Sequence, residues 1–89
     1  MRIIWKYEVY TGQFTVAMPL GTKVLSCQVQ GKTIQMWALV NPDAPIVDKD
    51  FVTVGTGQYL DDSLVGAMTY IGTFQPHLGL VFHLFEVTK

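Results

Sequence analysis

Apolar and polar residues alternate with a period of two along most of this chain, and nowhere with the period of a helix. The pattern is tightest from Lys23 to Val40. With Gly31 and Lys32 as a two-residue turn, Val29 faces Ile34, Cys27 faces Met36 and Leu25 faces Ala38 on one side of a ribbon. Gln28 then faces Gln35, Ser26 faces Trp37 and Val24 faces Leu39 on the other. Successive strand side chains point to opposite faces, so a one-residue slip would exchange the two sets. The spacing therefore predicts a β-hairpin over 23–40, with Gly31 supplying the positive φ of a tight turn.

The same reading extends to the rest of the chain. Ile3, Trp5, Tyr7 and Val9 alternate with Ile4, Lys6 and Glu8, and Phe14, Val16 and Met18 continue after Thr11-Gly12. A tight turn there would set Tyr7 opposite Val16 and Trp5 opposite Met18, a first hairpin over 3–18 with one apolar face. Asn41-Pro42-Asp43-Ala44-Pro45 must be a turn, because proline cannot donate to a strand ladder. Strand pattern returns at Phe51 to Val54 and at Ala67 to Phe74, on either side of Gly55-Thr56-Gly57-Gln58 and an exposed loop over 59–66. Leu80 to Val87 is apolar on both faces and belongs at the centre of a sheet. The expected fold is all-β: a small antiparallel β-sandwich or barrel of about seven strands, in one domain over 1–89. Its expected core is Trp5, Tyr7, Val16, Leu25, Cys27, Val29, Met36, Phe82 and Leu84.

Composition narrows the function classes. Hydrophobic residues make up 49% of the chain and charged residues 15%, which is too apolar for a disordered segment. It is also rich for a solitary domain of this size, so a partner is expected to cover part of the surface. The simplest such partner is a second copy in a two-fold homodimer. The net charge is −1, and the six basic residues are scattered from Arg2 to Lys89, which excludes the clustered cations that nucleic acid needs. No apolar run suggests a signal peptide or a membrane span, and the expectation is an intracellular protein. Cys27, the one cysteine, has no disulfide partner and reads as a small buried hydrophobe.

Little in the chain points to catalysis. There is no spacing of His, Cys and carboxylates that would hold a metal, so neither metal nor cofactor is expected. Asp48, Asp50, Asp61 and Asp62 fall in turn-rich stretches where aspartate is common anyway. His77 lies in a Pro-Gly loop, while His83 shares a face with Val81 and Phe85 and reads as a hydrogen-bonded structural histidine. Gly55-Thr56-Gly57-Gln58 lacks the helix and Lys-Ser or Lys-Thr of a phosphate loop, yet free backbone N–H groups in such a turn can hold a small anion. Trp37 shares its face with Gln28, Ser26 and Gln35, so either a second sheet covers it or it anchors a ligand or protein. The candidate binding residues are therefore Trp37, Gln28, Gln35, Gly55, Thr56, Gly57 and Gln58, with any ligand expected near Trp37 or the 55–58 turn at a subunit junction.

Taken end to end, the blocks IIWKYEV, MPLGTKVLSCQVQ, WALVNPDAP, VGTGQ, YIGTF and LVFHLFE resemble a family of small bacteriophage- and prophage-encoded proteins with no assigned activity. The family pattern carries histidine where this chain has Gln58, and aspartate where it has Asn41. That first departure weakens any chemistry that would need a histidine in the turn. The resemblance implies a mostly-β fold and a site of action in the host bacterial cytoplasm. Three roles fit it: a non-catalytic inhibitor bound to a host protein, an oligomer that sequesters a small nucleotide-like ligand, or a minor virion or assembly component.

Overall fold

In a computed structural model, which describes residues 1–88, the strands form two antiparallel sheets that stack as an open sandwich and do not close into a barrel. Seven strands are found among the described residues: β1 (Ile3–Glu8), β2 (Gly12–Pro19), β3 (Lys23–Gln30), β4 (Thr33–Val40), β5 (Ile46–Gly55), β6 (Met68–His77) and β7 (Leu80–Val87). Sheet A has the order β1-β4-β3 and sheet B the order β2-β5-β7-β6. The molecule is flat, 40 × 34 × 15 Å.

The 23–40 hairpin forms as the alternation dictates. Val29 faces Ile34, Gln28 faces Gln35, Cys27 faces Met36 and Ser26 faces Trp37, and Gly31 turns at φ 62°. Beyond Ser26 the register slips at a bulge, so that Val24 meets Ala38 and Lys23 meets Leu39. Leu25 is the extra residue, and it is exposed rather than in the expected core. A bulge puts two residues opposite one, which no period-two count anticipates.

The first hairpin does not form. Trp5 lies opposite Ala38 in sheet A, not opposite Met18, and Met18 pairs with Val47 in sheet B. Both strands keep the faces that their alternation gave them, but each takes a partner from elsewhere in the chain. Trp5, on an edge strand, is 37% exposed and so is not core. β6 also runs three residues further than its pattern indicated, to His77, through a second irregularity between Phe74 and His77.

The core lies between the sheets. Val9, Met18, Met36, Phe51, Phe74 and Leu84 are its buried cluster, with Tyr7, Val16, Cys27, Val29 and Phe82 half-buried around it. Phe14 stacks on Phe51 at 5.4 Å and Phe74 on Phe82 at 5.9 Å. β7 sits inside sheet B, as its two apolar faces require.

The two sheets adjoin along β3 and β6. Gly72 makes that seam close: a Cβ there would stand 2.8 Å from Cys27 Sγ. Gly72→Ala is expected to destabilise the domain by about 1–3 kcal/mol through overpacking. In a Cys27→Ala background, which removes the sulfur, the same change is expected to be nearly neutral. Denaturant unfolding of the two singles and the double checks this.

Candidate functional site

β5 and β6 both run antiparallel to β7, which lies between them, so they point the same way. The connection 56–67 must therefore return along the whole length of sheet B, over its outer face. It is pinned at both ends: Thr56 N–H donates to Val81 O at 3.0 Å, and Thr88 N–H donates to Ala67 O at 2.8 Å. Midway it makes one helical turn, α1 (Asp62–Val65), where sequence reading preferred a plain loop. Asp61 caps that turn by accepting from Ser63 N–H and Oγ, and these bonds hold its carboxyl below the usual carboxylate range. The return leaves Val52 and Val54, on the outer side of β5, only 4% and 5% exposed.

Outer-face residues of β5, β7 and β6 fall into cross-strand rows. Val52, Phe85 and Tyr70 form one, and Val54, His83 and Thr73 the next. The turn at 55–58 then brings Thr56 to the free side of His83. Tyr70 OH lies 2.6 Å from Thr73 Oγ1, Thr73 Oγ1 lies 2.9 Å from His83 Nδ1, and His83 Nε2 lies 2.7 Å from Thr56 Oγ1. Thr56 Oγ1 in turn donates to Val81 O at 3.4 Å. His83 is thus the hydrogen-bonded structural histidine that its position suggested, but it is also the centre of a chain of side chains at the surface. Tyr70 is 59% exposed and leans edge-on against Phe85 at 5.6 Å.

The four predicted residues of the turn are found together, in a turn that bonds largely to itself. Gly57, at φ 89°, sits where a type II turn needs glycine. Three N–H groups of the turn are already bound: Gly55 to Gln58 Oε1, Thr56 to Val81 O and Gln58 to Gly55 O. Gln58, where the resemblance carried histidine, uses its side-chain amide to close the turn.

Trp37, Gln28 and Gln35 lie elsewhere. They occupy the outer face of sheet A, where no second sheet covers them. Gln35 is nonetheless buried, donating to Thr33 Oγ1 at 2.8 Å, while Lys6 on β1 donates to Gln30 on β3 at 2.8 Å across the intervening β4. Trp37 and the 55–58 turn therefore stand on the outer faces of different sheets. Cys27 faces the interior beside Gly72, away from His83, and burial pushes its thiol pKa up, so the two make no nucleophile–base pair.

Among the described residues, no group of His, Cys, Asp and Glu is placed to hold a metal ion. A recess of ≈ 500 Å³ is open and lies on the same outer face between Gln13, Thr15, Asp50, Leu64 and Val87. Sequence reading missed Tyr70 and Thr73, and the signal for them was weak. Their rows depend on a register shift between Tyr70 and Gly72 that alternation does not reveal.

The fold and this surface define a small antiparallel β-sandwich with a hydrogen-bonded hydroxyl–imidazole chain displayed on one open face. A family model described as a domain of unknown function (DUF7352) matches residues 1–89, and the chain belongs to that family. No curated protein and no solved structure matches it.

The direction of the surface chain can be read from donor supply. If Tyr70 donates to Thr73, Thr73 to Nδ1, Nε2–H to Thr56 and Thr56 to Val81 O, every hydroxyl proton is used. The neutral imidazole is therefore expected to carry its proton on Nε2, as nitrogen-15 shifts of the ring would show. Thr73→Val, which removes the donor to Nδ1, is expected to shift the population toward the Nδ1–H form.

Proposed function

We propose that this is a non-catalytic binding protein, that its contact surface is the outer face of sheet B around Thr56, Tyr70, Thr73 and His83, and that its partner is a protein of the bacterial host. One observation carries the reading. Four surface side chains from three separate segments are locked into a single hydrogen-bonded arrangement on a face whose recess is open. Small molecules are held in clefts that bury most of their surface, whereas protein partners are met by flat, pre-ordered patches. Tyr70 offers a large amphipathic contact with few torsions to freeze, the property that enriches tyrosine in protein-binding surfaces. Tyr59, 99% exposed on the return segment, adds a second such side chain. The resemblance to phage-encoded proteins supplies the host as the setting, and inhibition of a host factor as the outcome of binding.

A photo-reactive aromatic amino acid placed at Tyr59, in cells that produce the protein, tests this. It is expected to cross-link one host protein, and Tyr70→Ala or His83→Ala is expected to weaken that capture by tenfold or more, about 1.4 kcal/mol. The same probe at Lys32, in the β3–β4 turn, is the control. Capture that is equal at both positions, or unchanged by the two substitutions in a folded protein, refutes the reading.

A further inference from the structure

Sheet A ends in β1 and β3, and sheet B in β2 and β6. Three of these four edges are guarded. β3 and β6 run against each other at the seam, and both are irregular, β3 at Leu25 and β6 after Tyr70 and again before His77. β2 ends in Pro19, and its exposed residues are small or polar: Gly12, Gln13, Thr15 and Ala17. β1 has neither bulge nor proline, and its Ile3, Ile4 and Trp5 are 49%, 53% and 37% exposed. A regular apolar edge is a template for another strand.

The side chains of β1 say which strand fits. Its outer face carries Ile4, Lys6 and Glu8, all exposed. Laid antiparallel on itself with Tyr7 opposite Tyr7, this series is its own complement. Lys6 meets Glu8 twice. The adjacent registers that keep the faces aligned centre on Lys6 or Glu8, and each sets like charges opposite one another, which is unfavourable across strands. Within one chain Lys6 bonds Gln30, and Glu8 is hydrogen-bonded to the Tyr10 phenol, whose pKa its charge also raises. All four residues are exposed, so these contacts exchange at small cost.

We propose that two copies of the chain pair antiparallel along β1 about a two-fold axis at Tyr7, joining their three-stranded sheets into one of six strands. The arrangement is isologous, so each favourable pair occurs twice. It leaves the His83 face of sheet B open in both copies. It does not depend on the function proposed above.

Light scattering across about 1–300 µM, where a self-associating chain changes mass with concentration, tests the pairing. The native chain is expected to pass from monomer to dimer. Lys6→Glu and Glu8→Lys are each expected to weaken the dimer at least about tenfold, because each sets two like-charged pairs across the axis. The double variant K6E/E8K restores opposite charges and is expected to restore the dimer. Thermal unfolding at low concentration shows that all three variants fold. As a second readout, those β1 amides that do not bond β4 are expected to exchange more slowly as concentration rises. A monomer throughout overturns the proposal and leaves the edge to a strand of another protein. So does a dimer that ignores both charge reversals.

Discussion

The two layers exist because the chain turns a corner at Val9. Val9 is 4% exposed in the core beside Met18, Met36 and Phe51, and its N–H donates to Ile34 O at 2.8 Å. Burying a side chain of that size is worth roughly 1.5–3 kcal/mol, which a free hairpin end would forgo. The bond to Ile34 holds β1 on β4. Gly12, at φ 77°, then takes the chain into the other sheet, where β2 finds β5. Had β1 and β2 closed on each other, β4 would lose its neighbour on one side and become an edge strand, although its Met36, Ala38 and Val40 are fully buried.

A second constraint places the surface that we assign to binding. Once β7 inserts between β5 and β6, the segment between those two strands has to travel back over sheet B. That return shields Val52 and Val54, and its first residues carry Thr56 to His83. The hydroxyl–imidazole chain is thus a by-product of strand order as much as of local sequence. Its rigidity comes from sheet pairing on one side and from the self-bonded 55–58 turn on the other.

What the sequence made legible follows the same division. Local alternation fixed faces well: the pairing of 26–30 with 33–37, the inward Phe14, Val16 and Met18, and the central place of Leu80 to Val87 were all readable. It could not choose partners between strands far apart in the chain. Trp5 against Met18 and Trp5 against Ala38 satisfy the same face rule, and only burial of Val9 decides between them. Bulges escaped for a related reason, since Leu25 alternates normally and is displaced only by its neighbours. At the site, Gly55 to Gln58 stood out by their glycines and His83 by its imidazole between Phe82 and Leu84. Tyr70 and Thr73 did not, because exposed Tyr and Thr in a strand are unexceptional until a register brings them to the histidine.

The central claim is that the first two strands part at Val9 and join different sheets. Cross-strand backbone NOEs in solution read this directly. The account predicts contacts between Trp5 and Ala38 and between Met18 and Val47, with none between Trp5 and Met18. A continuous ladder of NOEs from Val9–Phe14 through Tyr7–Val16 to Trp5–Met18 would contradict it.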